Sequence, residues 1–157
     1  MASIISKYGF NAMRPDDWRL LPCYTHRMRL LGIDYGEKRI GLALSDESGS
    51  IASPLSVIEN KREAVAKIVE ICRKETVTAI ILGESKDYKG NDNAIMPAIR
   101  IFSEDLKEKT GLPVYLEPEF MTSAQAVHIQ GEKKDIDASA ATIILQSYID
   151  KKHNDIN

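Results

Sequence analysis

The segment LLGIDYGEKRIGLALSD, residues 30–46, sets one carboxylate, Asp34, inside an otherwise apolar run. A glycine-bearing turn, Tyr35-Gly36-Glu37-Lys38, leads to a second apolar run, Ile40 to Leu44. Two such runs joined by a short turn read as paired antiparallel strands, Arg29–Tyr35 and Arg39–Ser45. A second turn, Glu47-Ser48-Gly49-Ser50, leads to a third strand near Ile51 to Ile58, completing a meander.

Beyond the meander the pattern becomes helical and then alternates. Asn60 with Glu63 three residues later reads as a capping box, opening a helix with Val65, Ile68, Val69 and Cys72 on one stripe. Thr78–Leu82 is a short β-branched run expected to be a buried strand, and Gly83 to Asp92 a polar loop. The next helix carries Ile95, Ile99, Phe102 and Leu106 on one side, has Pro97 in its first turn and stops at Gly111-Leu112-Pro113. Val114–Leu116 reads as a further strand. Thr122-Ser123-Ala124-Gln125 reads as a second capping box for a short helix that ends at Gly131. A last helix, about Ile136 to Lys152, presents Ala141, Ile144, Leu145 and Tyr148. The expectation is an α/β fold: a mixed five-stranded sheet, an antiparallel meander plus two parallel strands, flanked by helices. Right-handed crossovers make the first strand central.

Length places this chain, 157 residues, at about one domain. Residues 1–27 show no sustained period and hold the only Trp, so they are expected to be an extension or a packed helix before a domain spanning 28–157. They also lack the apolar block of a secretory signal. No stretch is long and apolar enough to span a bilayer. Cys23 and Cys72 lack metal-site spacing and fit reduced thiols in a cytoplasm. Net charge is −2, with +2 in residues 1–27 and −4 in the remainder. So acidic a body disfavours indiscriminate nucleic-acid coating, while leaving room for an acidic metal site beside a small basic rim.

Burying Asp34 costs free energy unless a partner or cation meets it. Asp137 poses the same question, because Ala141, Ile144, Leu145 and Tyr148 share its helix face; capping or dipole compensation is the bland explanation. Glu119, after strand Val114–Leu116, is a solvated loop acid when taken alone. Parallel strands, however, bring their C-terminal ends to one sheet edge, where α/β ligand sites lie. There the three acids would form an oxygen-donor site for Mg²⁺ or Mn²⁺.

GIDYGEKRIGLALSD resembles the signature of the YqgF/RuvX family, described as Holliday junction resolvases and as nucleases of pre-16S ribosomal RNA. The similarity covers about residues 28–150. ILGESKDYKGNDN stands at the family's Gly-rich loop, EPEFMTSAQA at its Asp-Glu-Arg-x-Thr-Thr segment and KDIDASAATIILQSYI at its closing helix. The resemblance implies an RNase H-like fold and a nuclease processing the 5′ end of pre-16S rRNA. Its catalytic and metal-binding residues would be Asp34, Glu119 and Asp137, holding two divalent ions that activate water and offset phosphate charge. Two residues depart from the pattern: Pro118 and Phe120 replace the family's Asp and Arg, so a phosphate-clamping cation is missing. Lys86 or Lys89 in the loop is the candidate replacement, with a solvated loop face as the plainer reading; separately, Lys38 and Arg39 in the first turn are candidate phosphate contacts, with hairpin solubility as theirs. Glu84 is a candidate extra ligand, whereas His128 reads as a packed or surface residue.

Three other functions fit these residues: a resolvase of branched DNA, a non-catalytic RNase H-like nucleic-acid-binding module, and an actin-like ATP-binding domain. The chain is too short for the second domain that the last requires. The expected partner is nucleic acid without a membrane, and the expected state a monomer or weak homodimer.

Overall fold

The computed structural model describes residues 28–87, 89–120 and 133–154, with the side chains of 119, 120 and 133–137 outside that description. Period-two alternation in β1 (Arg29–Tyr35) turns Leu31 and Ile33 to one face and Leu30, Gly32 and Asp34 to the other. β1 pairs antiparallel with β2 (Arg39–Ser45), which pairs antiparallel with β3 (Ala52–Glu59). The strand limits of β1 and β2 match those read from the sequence. The β2–β3 turn closes on Asp46, whose carboxylate accepts from the Ser48 hydroxyl and from the N–H groups of Ile51 (3.0 Å) and Ser50 (2.7 Å). Those bonds hold its carboxyl down at about 2.

Helix α1 (Ala64–Lys74) starts later than the Asn60 capping box predicts, and Glu63 at its N-cap makes no side-chain cap bond. Asn60 serves the first hairpin instead: its Nδ2 donates to Gly36 O at 2.8 Å and its N–H to Lys38 O at 3.0 Å. Val65, Ile68 and Cys72 of the expected stripe are buried in α1, and Val69 is partly buried beside them. Burial pushes the Cys72 thiol up to about 11, which leaves it a neutral packing group.

β4 extends over Val77–Lys86, four residues past the predicted strand. The predicted 83–92 loop is thereby corrected: Gly83 to Lys86 pair with β5 (Val114–Phe120), and only the segment after them turns. Backbone pairing with a neighbour, rather than apolar content, carries both strands outward. The shortened turn is organised by Asp87, whose Oδ1 accepts the N–H groups of Lys89 and Asn91, both at 2.8 Å. β5 likewise runs past its predicted end at Leu116, so Glu119 is a strand residue paired with Ser85, not a loop acid. Pro118 lies in this outer strand, as Pro54 does in β3, where proline is tolerated.

Helix α2 (Met96–Thr110) has Pro97 in its first turn and ends at Gly111, whose φ of 67° lets its N–H reach Lys107 O. Helix α3 spans Lys133–Asn154, three residues longer at its start than predicted. The sheet order is β3-β2-β1-β4-β5, with β1 central and parallel to β4, as the crossover argument requires. On one face Leu31, Ile33, Leu42, Ile80 and Leu82 pack under α1 and α2. On the other, Leu30, Ala43, Ala79 and Ile81 meet Ala141, Ile144, Leu145 and Ile149 of α3. α3 crosses β1 so closely that a Cβ on Gly32 would lie 2.7 Å from Leu145 Cβ and 2.9 Å from Ala141 O.

Residues 1–27, expected to be an extension or a packed helix, lie outside the described residues, as do the expected Thr122 capping box, the helix expected to end at Gly131, and His128. Among the described residues no helix is long and apolar enough to cross a membrane.

Candidate active site

Asp34 stands half-buried on central strand β1, on the face that α3 covers. Its cross-strand neighbour on β2 is Gly41. On β4 the Ile33–Leu82 pair places Gly83 alongside it, one step on. Both flanking positions therefore lack side chains, and both glycines are buried. The acid thus stands between two stretches of bare backbone. The sequence reading singled out Asp34 but passed over Gly41 and Gly83; their equal registers beside the acid were the available signal.

Gly83 pairs in turn with Glu117, and Ser85 with Glu119. Strand spacing puts the Glu119 backbone roughly 12 Å from that of Asp34, two strands across and two residues further along. By alternation Glu119 takes the register of Tyr115 and Glu117, the latter bonded to α3; its own side chain lies outside the described set.

Asp137 lies one turn inside α3 and not in its first turn, because the helix starts at Lys133. Dipole compensation, which fades beyond the first turn, therefore accounts for it poorly. Ala141, one turn further on, is the residue whose carbonyl meets Gly32. Gln146 accepts from Ala52 N–H at 2.8 Å and donates to Ser50 O at 3.3 Å. Ala52 pairs with Ser45 and Leu44 with Leu31, so Gln146 marks the N-terminal end of β1. From Ala141 the turn bearing Asp137 thus runs the opposite way, toward the end that carries Asp34. The Asp137 side chain also lies outside the described set, and among the described residues no three acidic, His or Cys side chains gather at one point.

The four cations separate. Lys38 is exposed at the turn beside Asp34, and Arg39 pairs in register with Glu59. Lys86 binds Glu84 at 3.2 Å, and strand alternation puts this pair on the α1/α2 face, opposite Asp34. Lys89 is exposed on the Asp87 turn. One acid escaped the sequence reading altogether. Glu117 is 4% exposed, and its Oε1 accepts from Ser147 Oγ at 3.0 Å and from Lys151 Nζ. The i, i+4 spacing of Ser147 and Lys151 on the last helix was its only trace in the sequence.

The donor chemistry is all carboxylate, with Cys72 buried elsewhere as a neutral thiol. The chemistry of a carboxylate donor such as Asp34 fits a hard cation such as Mg²⁺ or Mn²⁺.

The family pattern described as "RuvX: Holliday junction resolvase" matches residues 28–151. A relative from Caldanaerobacter subterraneus subsp. tengcongensis named "Putative pre-16S rRNA nuclease" is 39% identical over 138 residues, covering 81% of this chain and 99% of the relative. One of the same name from Limosilactobacillus fermentum is 35% identical, covering 78% and 94%. Among solved structures, Thermus thermophilus RuvC in complex with a Holliday junction substrate superposes with a TM-score of 0.54 at 15% identity, covering 80% of this chain and 96% of that one. The Fowlpox virus resolvase bound to junction DNA gives 0.53 at 11%, covering 79% and 98%. These two likenesses show the shared RNase H-like fold.

Proposed function

The chain belongs to the RuvX family of resolvases and nucleases, and from that premise we propose that it is a divalent-metal-dependent endonuclease acting in the cytoplasm on the 5′ end of precursor 16S rRNA. The observation that carries the proposal is Asp34: a carboxylate on the central strand, flanked by Gly41 and Gly83. Its two proposed co-ligands are Glu119 on β5 and Asp137 on α3. Mg²⁺ or Mn²⁺, when bound, supplies the positive charge that lowers the pKa of water and offsets charge developing on the phosphate.

The protein's own part is placement. Asp34 is held in the ladder with β2, and the residue before it in the ladder with β4, which fixes its backbone from both sides. Lys38 and Arg39 follow the turn that Asn60 pins through Gly36, and their proposed part is to meet the phosphate next to the cleaved one. They take the role of the arginine that Phe120 replaces. Water adds to phosphorus, the bond to the 3′ oxygen breaks, and that oxygen takes a proton, leaving 5′-phosphate and 3′-hydroxyl ends. The relatives named for pre-16S rRNA favour RNA over branched DNA as substrate.

The test is cleavage of a precursor 16S fragment and of a four-way DNA junction in Mn²⁺, by wild type and Asp34→Asn. Metal-dependent cutting of the RNA that the variant loses by at least a hundredfold supports the reading. Cutting of the junction alone reassigns the substrate, and equal cutting by both proteins removes Asp34 from the chemistry.

A further inference from the structure

Glu117 is the only charged side chain in the core among the described residues, and it has no part in the site just proposed. We propose that it is a positioning residue: with Ser147 and Lys151 it sets the placement of α3 against β5, and so the spacing between the two elements that carry Asp137 and Glu119. The inference rests on the proposed metal site.

Three observations support it. First, the fold alone does not call for an acid here. Two residues earlier, Tyr115 meets Tyr148 of α3 by ring stacking, with centroids 5.8 Å apart. An apolar residue at 117 could extend that contact, and replacing a buried ion pair by packed apolar groups is often neutral for stability. Second, the contact is directional. A single oxygen, Oε1, takes both the Ser147 hydroxyl and the Lys151 ammonium, one helical turn apart. Apolar packing lets a helix slide, whereas two donors converging on one atom define its height and rotation. Third, Glu117 is level with Asp34 across Gly83, and Glu119 follows two residues later. Two-metal chemistry needs ions held about 3.5–4 Å apart by ligands from different elements, so a shift of α3 on β5 would be felt there.

Lys151 is about half exposed while the Glu117 side chain is 6% exposed, so the lysine can be changed with the smaller disturbance. The experiment uses the full chain with Lys151→Ala, Lys151→Arg and the doubly apolar Glu117→Leu/Lys151→Leu. Mn²⁺ binding is followed without substrate by the electron paramagnetic resonance signal of the free ion, alongside the thermal midpoint and RNA cleavage. Supporting partners of metal ligands typically carry ten- to a hundredfold in affinity. Lys151→Ala is expected to weaken Mn²⁺ binding on the order of tenfold, and Lys151→Arg to restore it to within about twofold. The doubly apolar variant should melt near wild type yet bind Mn²⁺ as weakly as Lys151→Ala, separating placement from stability. It also decides the matter if Lys151→Ala fails to fold. Wild-type Mn²⁺ affinity in that folded double variant overturns the inference and leaves the metal site standing. Absence of both Mn²⁺ binding and cleavage in wild type overturns the two together.

Discussion

Gly32→Ala tests the seating of α3 on the central strand. The new Cβ would lie 2.7 Å from Leu145 Cβ, 2.9 Å from Ala141 O and 3.4 Å from Leu145 Cδ2. Carbon atoms pack at about 3.5–4.0 Å, so α3 must lift by roughly 1 Å. The nearest obstacles are a Cβ and a backbone carbonyl, which cannot swing aside as a side-chain end can. Overpacking of this kind costs about 1–3 kcal/mol, and the upper half applies because a helix of 22 residues must move. Alanine's smaller unfolded-state entropy returns about 0.4–1 kcal/mol. The net loss is about 2 kcal/mol, which in a domain of this size lowers the thermal midpoint by about 4–8 °C. Calorimetry of wild type and variant measures it, with Mn²⁺ binding as a second readout that should weaken. An unchanged or raised midpoint would show that α3 does not press on β1 at Gly32, and the proposed convergence of Asp137 on Asp34 would lose its geometric basis.

Asp46 carries a pH signature. Its folded-state carboxyl, at about 2, lies below the ordinary 3.8, so its contribution is complete above pH 4 and is lost as pH falls toward 2. Asp46→Asn should cost about 0.5–1 kcal/mol at pH 7 by urea denaturation, with the gap to wild type closing toward pH 2; a constant gap would refute the assignment. Asn60→Ala removes the bond to Gly36 O and should cost about 1 kcal/mol, with raised KM for RNA and little change in kcat; unaltered stability and KM would exclude the pinning role. The Cys72 thiol, at about 11, should alkylate at pH 8 at least tenfold more slowly in the folded chain than in urea, read peptide by peptide in a mass spectrometer. Equal rates would mean that α1 does not shield it.

The elements legible in the sequence are those whose ends carry their own chemistry. Gly36 in the turn limits β1 and β2, and Pro97 and Gly111 limit α2, so no tertiary knowledge was needed there. The outer halves of β4 and β5 were not legible, since Glu84 to Lys86 and Glu117 to Phe120 have no apolar period; they are strands because they pair with each other. Asn60 was misread because a capping residue and a turn-pinning residue look alike until the partner, Gly36 O, is placed beside it. For the site, the acid at Asp34 stood out through the cost of burial, whereas Gly41 and Gly83 gain meaning only from register. Glu117 was missed for the same reason, because both its partners lie about thirty residues away on α3.

Each outer strand of the sheet contains a proline, Pro54 in β3 and Pro118 in β5. Proline nitrogens in such strands face away from the ladder and have no hydrogen to offer a newcomer. A chain attempting to zip onto either margin meets a missing rung, so growth into ribbons or fibres is discouraged at both borders. At β5 that gap falls one residue before Glu119.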